Sequence, residues 1–116
     1  MASMKYTFME LSLFEQHREA YFDDEQFRAF QSFLAANPYA GNSIAGTGGL
    51  RKIRWADPGR GKGKRGGTRT IYFVHDTIAQ IWLFAVYDKD MAEDLTADQK
   101  RQLKRRLDYE KAQFVR

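Results

Sequence analysis

The feature that most constrains the fold is an unbroken apolar run of seven residues, Ile81 to Tyr87. The run is too short to span a bilayer, and it suits a central strand that is covered on both faces. β-Branched and aromatic residues precede it from Thr68 to Val74, and His75-Asp76-Thr77 forms a turn signal between the two segments. The sequence therefore predicts two antiparallel strands joined by a tight turn.

Two further strands are expected. Aromatic and β-branched residues at 5–10 predict a short first strand. Residues 50–55 alternate in character, so Leu50, Lys52 and Arg54 should lie on one face of a strand, and Arg51, Ile53 and Trp55 on the other.

Helix signals occur in three places. Ser12 with Glu15, and Thr96 with Gln99, have capping-box spacing and predict the starts of two helices. Another helix should begin at Asp23 or Asp24 and end at Asn37-Pro38, because proline disfavours a helical residue before it. Its apolar side chains should lie on the sheet, and these are Phe27, Phe30, Phe33 and Leu34.

The predicted order is β-α-α-β-β-β-α, which is typical of the α+β class. We expect a small antiparallel sheet with helices packed mainly on one face. A chain of 116 residues that is 43% hydrophobic can build one core, so a single domain over 1–116 is predicted. The first four residues are expected to be disordered or an added remnant.

Positive charge is concentrated in one stretch. The whole chain carries +4, whereas eight cations and the single acid Asp57 give residues 50–69 a local charge of +7. Any one Lys or Arg on a strand is usually solvated decoration. Cations that converge on one end of a sheet repel one another unless an anion binds, so a polyanion is the expected partner.

Several classes of chemistry are disfavoured. The chain has no cysteine, and its two histidines, His17 and His75, are far apart in sequence, so no metal site is predicted. The Gly-rich spacing matches neither the P-loop nor the dinucleotide fingerprint, so no cofactor is expected. An apolar leader is lacking, and a cytoplasmic location away from membranes is predicted.

Phosphodiester cleavage without a metal or imidazole would need cations to stabilise the transition state and a lysine or tyrosine to transfer a proton. The residues that could supply these groups are Lys52, Arg54, Arg69, Tyr87 and Lys89. Further contacts to RNA are expected from Arg51, Trp55, Arg60, Lys62, Lys64 and Arg65. Trp55 and Tyr87 are candidates for base stacking, whereas the other aromatic residues follow core periodicity.

Linked motifs resemble a known family. They are Gly46–Arg54 (GTGGLRKIR), residues 61–69 (GKGKRGGTR), Tyr72–Val74, Val86–Asp90 (VYDKD) and Glu93–Thr96 (EDLT). From about Lys5 to about Leu107 the chain is similar to HigB-type toxins of the RelE superfamily. The resemblance implies the same element order, ribosome binding, and metal-independent cleavage of messenger RNA in the decoding site.

The resemblance also implies roles for individual residues. The family's basic pair on the second strand matches Lys52 and Arg54, and its third-strand arginine matches Arg69. Tyr87 matches an aromatic position, and Lys89 matches the basic residue after the last strand. Asp88 and Asp90 depart from the family pattern, which has small or neutral residues there.

Partners follow from the same resemblance. They are the ribosome with its messenger RNA, and a cognate helix-turn-helix antitoxin of the HigA type, through which any contact with DNA would be indirect. Two alternatives remain open. One is a non-catalytic module that binds RNA or the ribosome, and the other is a degenerate toxin that acts with its antitoxin as a transcription corepressor.

Overall fold

The computed structural model describes residues 5–55, 67–88 and 95–113. Within them the helices and strands are, in chain order, β1 (Thr7–Glu10), α1 (Ser12–Tyr21), α2 (Asp24–Ala36), β2 (Asn42–Ser43), β3 (Arg51–Trp55), β4 (Thr68–His75), β5 (Gln80–Asp88) and α3 (Ala97–Ala112). A single 3-10 turn, Asp76–Ile78, joins β4 to β5. The α+β class is thereby confirmed. The expectation for residues 1–4 lies outside the described ranges.

The strands form one sheet in the order β1-β5-β4-β3-β2. As predicted, β3, β4 and β5 pair antiparallel. The sheet is not wholly antiparallel, because β1 pairs parallel with β5 after a long crossover through the intervening elements. β2 was not predicted, since its two residues are too few to show any alternation, and it pairs with β3.

A β-bulge in β5 changes which side chains share a face. Tyr72 is opposite Leu83 and Ile71 is opposite Ala85, so Phe84 is an extra residue on β5. The inserted residue reverses the alternation of β5 beyond it. Tyr87 therefore lies on the same face as Trp82, and not on the face that strict alternation would give it.

Two hydrophobic cores cover the sheet. On one face, which we call the α1/α2 face, Phe14 of α1 and Phe30 of α2 pack with Ile53, Tyr72 and Leu83. The other face, the α3 face, buries Leu107 of α3 with strand residues that include Ile71, Trp82 and Phe84. Two of the three helices thus share one face, and the apolar run of β5 is covered on both sides as predicted.

Helix caps follow the sequence signals in two of three cases. Asp23 caps α2 in a capping box with Gln26, and Thr96 caps α3 with Gln99. The predicted start of α1 at Ser12 is confirmed, but Leu11 and not Ser12 is the N-cap residue, so the expected capping box is absent there. The backbone N–H of Leu11 donates to the carbonyl of Leu83 at 2.9 Å, so strand pairing holds Leu11 extended and the helix begins at Ser12, directly after it.

No helix in the described ranges is long and apolar enough to cross a membrane.

Candidate functional site

Four predicted catalytic residues lie together on the α3 face of the sheet. Arg54 of β3 is directly opposite Arg69 of β4, and Arg69 is directly opposite Tyr87 of β5. Lys52 is two residues before Arg54 on the same strand and therefore on the same face. We call these four residues, Lys52, Arg54, Arg69 and Tyr87, the cationic row.

Strand pairing fixes the spacing of the row. Residues directly opposite each other in antiparallel strands have Cα atoms about 4.5–5.5 Å apart, so the row extends about 10 Å across three strands. Like charges in directly opposed positions destabilise a sheet, and a bound anion offsets that repulsion. The opposition of Arg54 and Arg69 is therefore suited to a phosphate group.

The two arginines of the row differ in exposure. Arg69 is only 5% exposed, whereas Arg54 is exposed to solvent. A buried guanidinium is held by its surroundings and needs little reorganisation when charge develops beside it. Arg69 is thus suited to a fixed position in a reaction site, and Arg54 to the capture of a ligand from solution.

Tyr87 connects the row to a cleft of about 510 Å³ between α1 and α3. The cleft is lined by apolar residues of the sheet and helices and by polar residues of the two helices. His17 is exposed on α1 and lies on the cleft wall. The sequence did not predict this cleft, because distant segments contribute its walls and no local pattern brings them together.

Two predicted RNA-binding residues, Arg51 and Trp55, are on the α1/α2 face, away from the row. The Nε of Arg51 donates to the carbonyl oxygen of Gly41 at 2.9 Å, and its guanidinium lies 5.0 Å from the ring centroid of Tyr39. Trp55 packs against Phe30 and Phe33 of α2, each with a centroid separation of 5.4 Å. Both side chains thus make contacts within the fold.

Other predicted residues lie outside the described part of the chain and stay predictions. They are Lys89, Arg60, Lys62, Lys64 and Arg65. Asp90 is also outside it, whereas Asp88 is opposite Thr68. Adjacent residues of a strand lie on opposite faces, so Asp88 is on the α1/α2 face and not on the face of the cationic row.

A second polar group, which we call the Asp76 cluster, lies at the turn between β4 and β5. It consists of Asp76, Tyr6, Tyr39 and Arg51. The Asp76 carboxylate accepts hydrogen bonds from the hydroxyl of Tyr6, at 2.9 Å, and from the hydroxyl of Tyr39. These bonds lower the pKa of Asp76, with Tyr39 having the larger effect.

The same contacts act on the tyrosines of the Asp76 cluster. The hydrogen bond to Asp76, followed by desolvation, raises the pKa of Tyr39 to about 12. Desolvation, followed by the bond to Asp76, raises the pKa of Tyr6. The cluster joins the segment before β1, the loop after α2 and the β4–β5 turn, so it holds the fold together at the end of the sheet away from the row.

In the part of the chain that the structure describes, no three His, Cys, Asp or Glu side chains form a group that could hold a metal ion.

No protein-family model matches the chain. Two solved structures resemble it in fold. One is a mutant of the E. coli toxin RelE in the free state, with a TM-score of 0.57 and 17% identity over 78% of this chain and 90% of that chain. The other is the intact E. coli RelBE toxin-antitoxin complex, with a TM-score of 0.53 and 16% identity over 72% of this chain and 95% of that chain. The chain therefore shares the fold of RelE.

Proposed function

We propose that this protein is a toxin of a toxin-antitoxin system, of the HigB type, that cleaves messenger RNA in the decoding site of the ribosome. The observation that carries the proposal is the cationic row, in which two arginines, a lysine and a tyrosine share one face of three adjacent strands. The fold shared with the E. coli toxin RelE supports the toxin part of the proposal.

The proposed nucleophile is the 2′-hydroxyl of the RNA. Lys52 or Tyr87 accepts its proton while the 2′-oxygen bonds to phosphorus, and Arg54 and Arg69 neutralise the charge that develops on the phosphorane. The bond to the 5′-oxygen then breaks, and Lys89, Lys62 or Lys64 supplies a proton to the leaving oxygen. The products are an upstream fragment with a 2′,3′-cyclic phosphate and a downstream fragment with a free 5′-hydroxyl.

The ribosome supplies much of the rate enhancement in this proposal. An in-line arrangement of the 2′-oxygen, the phosphorus and the 5′-oxygen is uncommon in free RNA, and the decoding site would impose it. The protein then needs only to stabilise charge and transfer protons. Cations of the row would perform the first task without a divalent metal, and free RNA should be a poor substrate.

Controlled expression with mapping of messenger RNA ends tests the function. We expect new ends within translated regions soon after induction, and none on the same transcripts when translation initiation is blocked. An equally expressed Arg54→Ala variant is the control, because it removes an exposed cation of the row without disturbing the core. Growth inhibition without new RNA ends would instead favour a non-catalytic module that binds the ribosome.

A 2′-deoxy substitution at the cut site tests the mechanism. Cleavage of ribosome-bound messenger should stop when that single hydroxyl is absent, although binding of the toxin should persist. Continued cleavage at the modified position would require water as the nucleophile and would contradict the proposed mechanism.

The proposed partner is a cognate helix-turn-helix antitoxin of the HigA type. It either covers the positively charged stretch at residues 50–69 with an acidic segment or packs on α3. The local charge of +7 favours steering by complementary charge. The RelBE complex among the fold neighbours is consistent with such a partner.

A small open reading frame beside the gene should encode the antitoxin. The association rate of the two proteins should fall as salt increases, and an insensitive rate would count against the acidic-segment arrangement.

A further inference from the structure

We propose that the cleft between α1 and α3 binds the base of a nucleotide next to the scissile phosphate, so that it sets the sequence preference of cleavage. This inference rests on the proposed function. Tyr87 belongs to both the cationic row and the cleft wall. A nucleotide whose phosphate lies on the row would therefore have its base beside the mouth of the cleft.

The lining suits a planar ring with polar edges. Ile71 and Phe84 supply apolar surface, and the polar residues Gln99 and Gln102 of α3 lie on the same cleft. Sites for small aromatic ligands commonly combine an apolar lining with a few polar groups that fix orientation. Tyr87 adds an aromatic ring on which a base can stack.

Each of the two glutamines uses one of its side-chain polar groups within the fold and keeps the other available for a ligand. Gln99 uses its side-chain oxygen to accept from the backbone N–H of Thr96 at 2.9 Å, and no bond to its side-chain NH₂ occurs among the described residues. Gln102 uses its NH₂ to donate to Asp98 at 3.1 Å, which leaves its oxygen to accept. One donor and one acceptor on neighbouring turns of a helix are the two kinds of group that pair with the edge of a nucleobase.

An amphipathic helix of a protein partner is the competing occupant. Its apolar face would cover the glutamine side chains and leave their available donor and acceptor without partners, which is costly. A base would pair with both groups, and the cleft adjoins the row on which a phosphate would be bound. These observations favour a nucleobase.

Single-turnover cleavage of ribosome-bound messenger RNA tests the proposal, with each of the four bases placed in turn beside the cut. We expect the wild type to discriminate between the best and worst base by about tenfold or more. In Gln102→Leu, the cleavage rates with the best and the worst base should differ by no more than about twofold. Gln31→Leu, a matched substitution on α2 on the other side of the sheet, should keep the wild-type profile.

Several results would overturn the proposal. One is equal rates for all four bases with the wild type, and another is an unchanged profile in Gln102→Leu. A wild type that cuts nothing would contradict the proposed function, and the cleft would then be tested by NMR titration with the four nucleoside 3′-monophosphates. Shifts of the side-chain amide signals of Gln99 and Gln102 would support a base site. If these signals do not shift, or shift only with an acidic amphipathic helical peptide, the base site is refuted.

Discussion

Arg51 and Arg54 are three residues apart on β3, but they lie on opposite faces of the strand and their guanidinium groups have different surroundings. Arg51, on the α1/α2 face, donates to the Gly41 carbonyl and lies over the ring of Tyr39. Arg54, on the α3 face, is directly opposite a second arginine, Arg69. The first cation is placed among complementary groups, whereas the second is placed where positive charge accumulates.

We interpret the difference as that between a cation that stabilises the fold and a cation that can bind a ligand. In the Asp76 cluster, hydrogen bonds and an aromatic ring offset the charges, and the gain is local stability. In the cationic row, two arginines occupy directly opposed positions on one face, where we propose that they bind a phosphate. Substitutions on the two faces should therefore affect different measurements.

The largest effect is expected from Arg69→Ala. Loss of a buried cation that stabilises the phosphorane in the proposed mechanism should slow cleavage by about 10²- to 10³-fold. Single-turnover rates on ribosome-bound messenger measure this effect, and circular dichroism checks that the fold persists. Arg28→Ala, an exposed arginine of α2 on the other face of the sheet, should keep the wild-type rate. A fully active and equally folded Arg69→Ala protein would refute the placement of the phosphate.

The next effect concerns coupling within the row. Lys52→Ala and Arg54→Ala should each slow cleavage, and the double variant should lose much less than the product of the two single losses, because both groups act on one phosphate. A double-mutant cycle on the same rates gives the coupling free energy. Independent, multiplicative losses would indicate that the two cations contact separate parts of the RNA.

A smaller effect, on stability alone, is expected from Arg51→Ala. Loss of one hydrogen bond and one cation–π contact should lower the free energy of unfolding by about 1 kcal/mol. The exposed Arg54→Ala should change it by less than about 0.5 kcal/mol. Urea denaturation of the two variants and the wild type makes the comparison. If Arg54→Ala lowers the free energy of unfolding more than Arg51→Ala does, the structural role assigned to Arg51 is contradicted.

The smallest effect is a change in alkaline titration. The pKa of Tyr39 is raised to about 12. Because it exceeds the ordinary value of about 10, the associated stability is present below about pH 10 and is lost as pH rises towards 12. Tyrosinate absorbance should show one fewer late-titrating group in Tyr39→Phe than in the wild type. In Asp76→Asn, Tyr39 should titrate closer to 10, and an unchanged titration there would exclude Asp76 as the cause.

Much of the cationic row could be predicted from sequence because β3 alternates strictly. That pattern put Lys52 and Arg54 on one face and Arg51 and Trp55 on the other, and the observed register confirms it. The face of Tyr87 could not be predicted in this way. It depends on the bulge at Phe84, and a continuous apolar run contains no signal for an inserted residue.

Other features depend on contacts between distant segments. The Asp76 cluster joins residues 37 and 70 positions apart, and only the tertiary fold brings them together. The α1–α3 cleft has the same origin. For this reason local pattern predicted helices, strands and charged faces, but not the place of Arg51 in a structural cluster or the cavity beside Tyr87.

The most direct test of the account compares Arg54→Ala with Arg51→Ala in single-turnover cleavage of ribosome-bound messenger RNA. The two substitutions remove the same side chain from opposite faces of one strand. We predict that Arg54→Ala slows cleavage by about 30-fold or more, and that Arg51→Ala, assayed at a temperature where it is fully folded, stays within about twofold of the wild type. Equal losses in the two variants, or a slower Arg51→Ala protein, would contradict the assignment of function to the α3 face.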